Sequence, residues 1–336
     1  MGSHRRVAPS GLDRGATAAV GLLSVAAVLG AVPASVAAPH DDTRTEVDRL
    51  HTEAERATEA YNKADERTEQ LRRQIDDAQD EIARKQERVN TMRDALGSLA
   101  GAQYRSGGVD PSLALLLSAE PDDYLDKASV LDRVTTRQAG ELRELRQLLR
   151  ELAQDRAEAA HKLAELEKGR KAVAAHKKTV QRKLAEARRL LAGLPAGERD
   201  AYGRASRSGR TDLTGPGGVP ASGRAAAALA AARSALGKPY IWGANGPSGF
   251  DCSGLIQWSY AQAGVGLPRT SQEQRYAGRR IPLSEARPGD LVAYRDDASH
   301  IGMYAGNGQV IHAPRPGAPV RYDPVGMMPV SSVTRI

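Results

Sequence analysis

From Val47 onward the apolar residues recur at alternating steps of three and four: Val47, Leu50, Ala54, Ala57, Tyr61 and Ala64, then Leu71, Ile75, Ala78, Ile82, Val89, Met92, Leu96 and Leu99. Only Thr68 and Lys85 interrupt the stripe. A heptad held this long, with charges at the flanking positions, predicts a coiled-coil helix, because the stripe stays facing a partner as the helices wind around each other. A second stripe runs Leu142, Leu145, Leu149, Leu152, Ala159, Leu163, Leu166, Val173, Val180, Leu184, Ala187 and Leu191, with Arg156, Arg170 and Lys177 as polar breaks. Between them Gly101, Gly107, Gly108 and Pro111 end the first helix, as glycine and proline do. The simplest arrangement is an antiparallel helical hairpin over 43–194; pairing with a second copy of the chain would cover the same stripes. The apolar cluster from Leu113 to Leu117 then caps the hairpin or offers a docking surface.

The pattern changes after the second stripe. Gly193, Pro195, Gly203, Ser206, Ser208, Gly209, Gly215, Pro216, Gly217, Gly218 and Pro220 leave 195–221 unable to sustain either period, which predicts a flexible tether. The remaining 222–336 is long enough for one small α+β domain. An alanine-rich helix follows Ser222 and stops near Gly237, and a second is expected from Cys252 to Ala263, capped by Asp251 and ended by Gly264. Gly289 to Tyr294, Ser299 to Tyr304 and Gln309 to Ala313 read as strands, the last two joined by the Gly306-Asn307-Gly308 turn. A turn centred near Gly306 sets His300 almost opposite His312.

The first forty residues carry a basic start (His4, Arg5, Arg6, Arg14), an apolar run from Ala16 to Val32, and small residues around Ala37. That layout predicts a secretory signal peptide over 1–37, with an uncleaved membrane anchor as the alternative. The mature protein is then extracytoplasmic, secreted or wall-associated. The net charge of +7 does not change this picture. Lysine and arginine alternate with aspartate and glutamate along the helices instead of massing on one element, so the charge reads as a solvated face and not as a nucleic-acid footprint.

One cysteine, Cys252, is present, so no intrachain disulfide can form. At the start of a helix, a thiol beside a cationic imidazole has its pKa lowered toward thiolate, the attacking species, and the same helix-start amides can bind an oxyanion. A thiolate, a histidine base and a third polar group that fixes the base's tautomer make up the general logic of nucleophilic catalysis. Cys252, His300 and His312 supply those parts, and no cofactor is implied. Two other readings of the three stay open: ligands of a zinc ion, although their spacing lacks the short paired-ligand motifs, and a non-catalytic wall-binding scaffold acting through the coiled coil.

The segments Pro-Tyr-Ile-Trp-Gly (239–243), Phe-Asp-Cys-Ser-Gly-Leu (250–255), Leu-Pro-Arg-Thr-Ser (267–271), Arg-Pro-Gly-Asp-Leu-Val (287–292), His-Ile-Gly-Met-Tyr (300–304) and Val-Ile-His-Ala-Pro (310–314) resemble, in order, the NlpC/P60 family of cysteine peptidases. The resemblance implies a papain-like α+β domain, an antiparallel sheet packed with helices, over 222–336. It implies thiol hydrolysis of peptidoglycan stem peptides, commonly between D-glutamate and the diamino acid, with Cys252 as nucleophile, His300 as base and His312 as the orienting residue. Tyr240, Asp251 and Ser253 would contact substrate or support the oxyanion. The helical half is similar to the hairpins of RipA-type actinobacterial wall hydrolases, which implies restraint of the enzyme or docking on a membrane-bound division complex of FtsE–FtsX type.

Overall fold

The computed structural model describes residues 39–105, 124–207 and 218–336, together with Leu113. The leader expected at 1–37, the Leu113 to Leu117 cluster apart from Leu113, and residues 208–217 of the tether lie outside the described residues. Among the described residues no helix is long and apolar enough to cross a membrane.

Helix α1 (Pro39–Arg105) and helix α2 (Tyr124–Ala192) are 67 and 69 residues long, each about 100 Å at 1.5 Å per residue. They form the antiparallel hairpin that the periodicity predicts. Val47 and Leu50 pack with Ala187, Ala54 and Ala57 with Val180 and Leu184, Leu71 and Ile75 with Leu166, and Val89 with Leu148 and Leu152. Packing is tightest near the C-terminal domain, where Val47, Leu50, Val180 and Ala187 are sealed from solvent, and loosens outward to the exposed Leu99, Val130, Val134 and Leu142. Cross-helix pairs such as Lys85 with Asp155 at 2.6 Å sit on the surface. Such pairs contribute at most about 1 kcal/mol each, so the apolar seam carries the hairpin.

The first half of the segment read as a tether is a helix, α3 (Ala196–Arg207). Pro195 precedes it, Glu198 sits in its positive first turn, and tertiary contact overrides its glycines. The Tyr202 hydroxyl donates to Asp48 Oδ1 at 2.7 Å, and the Arg315 guanidinium lies 4.2 Å from its ring centroid. Helix α3 thereby ties the hairpin base to the C-terminal domain.

That domain begins with α4 (Gly223–Ser234), whose cap Ser222 accepts from the Ala225 amide at 3.1 Å. Then come α5 (Cys252–Gln262) and the single turn α6 (Ser271–Gln274). The strands are β1 (Arg279–Ile281), β2 (Leu291–Tyr294), β3 (His300–Gly306), β4 (Gln309–His312), β5 (Arg321–Pro324) and β6 (Val330–Arg335). They form one antiparallel sheet in the order β1-β6-β2-β3-β4-β5. Helices α4 and α5 cover one face through Leu229, Phe250, Leu255, Ile256, Tyr260, Ile301 and Met303. Ile281, Val292, Tyr294, Val310 and Val333 form a smaller cluster.

The β3–β4 register differs from the sequence expectation. Met303 faces Ile311 and Tyr304 faces Val310, with an irregularity before Gly306, so His312 falls opposite Gly302 and is diagonal to His300. The turn proper is Asn307-Gly308, between the paired Gly306 and Gln309, and Ala305 is the unpaired residue on β3, so the pairing centres one position beyond Gly306. Gly302 makes room for the diagonal: a Cβ there would meet His312 Cβ at 3.2 Å.

Candidate active site

Asp251 folds the start of α5. Its Oδ1 accepts from the Gly254 amide at 2.7 Å, the N-cap geometry expected from sequence. The same carboxylate, fully buried, accepts from the Gly243 amide at 3.0 Å and from Arg269 at 3.0 and 2.6 Å. Asp251 therefore pins the loop after Trp242 to the helix start and takes a bidentate arginine. Ser253 Oγ accepts from Arg269 Nη1 at 2.9 Å. Tyr240 is buried beside Cys252 in the main core, where burial and the neighbouring thiol push its phenol well above the ordinary value.

Removing Arg269 would strand a buried carboxylate. Arg269→Ala is expected to lower unfolding free energy by about 3–5 kcal/mol, because a buried charge that loses its partner keeps its desolvation penalty. Chemical denaturation checks this; a change within the scatter of the wild type would mean that the capping amides alone satisfy Asp251.

His300 opens β3, His312 closes β4, and Asp323 lies on β5. Their side chains form a line: His300 Nε2 is 2.7 Å from His312 Nδ1, and His312 Nε2 is 2.8 Å from Asp323 Oδ2. Burial holds His312 down to about 4, against the opposing pull of Asp323, so its ring is neutral near pH 7. Its one proton goes to the nitrogen facing the carboxylate, which leaves Nδ1 to accept from His300 Nε2–H. This occupies His300 Nε2 and leaves Nδ1 as the nitrogen that faces away from the line, toward Glu55. Asp323 is absent from the sequence reading, since Arg-Tyr-Asp-Pro has no signature of its own and only the β4–β5 pairing brings it to His312.

The cleft edge is occupied by α1. Glu59 Oε1 accepts from Ser253 Oγ at 2.7 Å and lies 3.6 Å from Cys252 Sγ, while its Oε2 accepts from the Ser271 amide at 2.8 Å. One turn earlier, Glu55 Oε1 is 3.1 Å from His300 Nδ1 and Oε2 is 2.6 Å from Arg295. Asn62 donates to Asp251 at 3.1 Å, and Tyr61 meets Trp242 edge-on at 5.3 Å. Cys252 and His300 are closed off from solvent.

This alters the electrostatics expected of a helix-start cysteine. Burial, then the carboxylates of Glu59, Asp251 and Glu55, push the Cys252 thiol well above its usual range, so it is protonated here. Burial and Asp251 lift Glu59 to about 7. For Glu55, burial acts upward, but the contacts with His300 and Arg295 outweigh it and its carboxyl stays below the ordinary value. The coiled-coil stripe concealed these residues. His51, Glu55, Thr58, Glu59 and Asn62 are buried polar positions on a second face of α1. Their three-and-four spacing was the available signal, but solvated faces of coiled coils look the same.

Residues 237–333 match the model of the NlpC/P60 family. A probable endopeptidase of Corynebacterium glutamicum is 44% identical over 117 residues, which cover 35% of this chain and 56% of that protein. The chain thus spans little more than half the length of that curated relative. Among solved structures, the P60 domain of an antigen of M. avium subspecies paratuberculosis is 38% identical, covering 34% of this chain and 94% of that one, with a TM-score of 0.32. The Resuscitation Promoting Factor Interacting protein RipA mutated at E444 is 36% identical, covering 36% and 69%, with a TM-score of 0.32.

Proposed function

Because the chain belongs to the NlpC/P60 family of cysteine peptidases through residues 237–333, we propose that it is an extracytoplasmic wall hydrolase that cuts peptidoglycan stem peptides at the D-glutamyl to diamino acid bond. The reading rests on the Asp323–His312–His300 line, which ties up Nε2 of His300 and leaves Nδ1 to act as base on the side where Glu55 and Glu59, one turn of α1 apart, now face His300 and the Cys252 thiol. In this mechanism His300 takes the Cys252 proton and the thiolate attacks the carbonyl. Amides at the α5 start stabilise the oxyanion. His300 returns the proton to the leaving amine, and water activated by the same imidazole hydrolyses the thioester. His312 and Asp323 hold the ring in that tautomer. Tyr240, buried beside Cys252, and Ser253, which holds Glu59 while the hairpin is in place, are assigned to substrate contact or oxyanion support, and Asp251 acts through the cap and Arg269.

The hairpin is the enzyme's own lid. Glu55 and Glu59 fill the places a substrate would need, and they raise the thiol's pKa while they stay. A membrane-bound partner of the FtsE–FtsX kind would draw the lid away from its outer end, where Leu99, Val130, Val134 and Leu142 are exposed.

Mass spectrometry of fragments released from purified peptidoglycan tests the bond. New D-glutamyl C-termini and diamino acid N-termini are expected. Fragments ending at glycan linkages, or wall binding without release, would overturn the reading.

A further inference from the structure

Arg295 stands in the turn between β2 and β3, five residues before His300. It adopts φ +63, a left-handed conformation that costs a non-glycine residue stability and persists only where its surroundings hold it. They do: its amide donates to the Pro329 carbonyl at 2.8 Å, and its carbonyl accepts from the Ala298 amide at 3.0 Å. The side chain is largely buried, and Nη1 donates to Glu55 Oε2 at 2.6 Å and Ser299 Oγ at 3.1 Å. The carboxylate that answers this guanidinium belongs to the hairpin, not to the C-terminal domain.

Beside it lies a cavity of about 310 Å³ between hairpin and domain. Its domain wall includes Arg295, Arg315, Arg321 and His312, and its hairpin wall includes Asp48 and Glu55. Two turns of α1 before Glu55, Asp48 Oδ1 is 3.4 Å from Arg315. Acids of one helix thus meet arginines of the domain at both ends of the cavity.

Chemistry gives this end of the cleft a direction. The acyl group of a substrate stays on the Cys252 sulfur, while the departing nitrogen must lie within hydrogen-bond reach of the imidazole that protonates it. Glu55 touches that imidazole with one oxygen and Arg295 with the other. An anion held by Arg295 therefore sits within one carboxylate's width of His300, on the side of the leaving amine.

Resting on the peptidase reading above, we propose that Arg295, with Arg315 behind it, recognises a free carboxylate on the residue that leaves as the amine. Glu55 is that carboxylate's stand-in while the lid is closed. The substrate class is a stem peptide whose diamino acid keeps an ionised carboxylate, in its side chain or at the peptide's end, and amidation of that group disfavours cleavage. A helix offers side-chain carboxylates but no extended peptide bond, so the lid occupies the site without being cut.

The test uses the full chain opened by Glu55→Ala and Glu59→Ala, with three synthetic peptides. These are L-alanyl-γ-D-glutamyl-diaminopimelate with both carboxylates free, the same peptide with its side-chain carboxylate as amide, and the same peptide with its terminal carboxylate as amide. With Arg295 present, one amide should lower kcat/KM by about 10- to 100-fold, the range of a hydrogen bond to a charged group, and which amide does so names the source. Arg295→Ala should remove that discrimination through KM, and Arg295→Lys should restore part of it. Equal rates on all three peptides with Arg295 present, or an equal fall on all three with Arg295→Ala, would overturn the carboxylate site while leaving the peptidase intact. Failure of the opened chain to cut any of these peptides, or whole peptidoglycan, sinks the peptidase reading and this site with it.

Discussion

Replacing Cys252 by alanine is expected to remove peptide release from peptidoglycan altogether, in the wild-type chain and in a chain whose lid has been opened. The argument is chemical: without sulfur there is no thioester, and a water molecule at the same place lacks both its nucleophilicity and its position. Loss of a nucleophile from a triad that acts as a unit costs on the order of 10⁴-fold or more in rate. The substitution is small, and the vacated volume lies beside the capped helix start, so the cap at Asp251 and the ion pair to Arg269 should persist. Fragment release by mass spectrometry and a thermal unfolding curve on the same sample separate lost chemistry from lost fold. Release that survives in a folded Cys252→Ala protein would remove this residue from the mechanism.

Opening the lid should act in the opposite direction. Glu55 and Glu59 make short contacts to Arg295, His300, Ser253 and the Ser271 amide. Interactions that involve a charged group contribute about 1.5–3 kcal/mol each, and part of that is offset by the cost of burying the two carboxylates. A double replacement by alanine is therefore expected to raise the rate of release by about 10- to 100-fold, until the open state dominates. No increase would mean that the hairpin leaves the cleft without resistance, or that it never restrains the enzyme.

The pH dependence of the lid follows from the same groups. Glu59 is raised to about 7 in the closed state, so closure is favoured while Glu59 is protonated and weakens as pH rises from its ordinary 4.5 to about 7. The Cys252 thiol, raised by burial and by these carboxylates, adds a loss of closure at more alkaline pH. His51 opposes this in acid: burial and Arg315 hold it down to about 4, so closure weakens as pH falls from 6.5 toward 4. Glu55, held low, favours closure above its own titration. Above pH 6.5 the opposing histidine is silent, and the advantage of the opened chain over the wild type should shrink up to about pH 7 and again above the thiol's ordinary value of 9.0.

Two parts of this molecule were legible because each depends on residues near one another in sequence. The stripes from Val47 to Leu99 and from Leu142 to Leu191 predict a hairpin because every seventh residue of a helix returns to the same face, whatever lies elsewhere in the chain. The cap at Asp251, the helix it starts, and the β3–β4 turn are likewise local chemistry, and they bring Cys252, His300 and His312 into view as candidates. Locality also bounds what could be read. Nothing near Gly306 announced that the turn would be Asn307-Gly308 with Ala305 left unpaired, which shifts the register by one residue and sets the histidines on a diagonal. The glycines of 195–221 suggested only a tether, because the contacts that hold Ala196–Arg207 helical come from Asp48 and Arg315, more than a hundred residues away in each direction.

The remaining decisions belong to the tertiary structure. A periodic stripe tells a helix which face to bury against its partner, but it is silent about a second face. On α1 that second face carries carboxylates and an amide, residue types that any solvated coiled coil displays. Only the docking of the C-terminal domain turns Glu55 and Glu59 from solvated acids into buried ones, raises the thiol they approach, and pairs Arg295 with an acid from the far end of the sequence. Asp323 and Arg269 gained their partners in the same way, across strands and loops that meet only when the sheet closes. The sequence determined which elements form and which groups could react; the approach of distant surfaces decided the protonation of those groups and whether anything reaches them, because burial and charge are properties of neighbours in space.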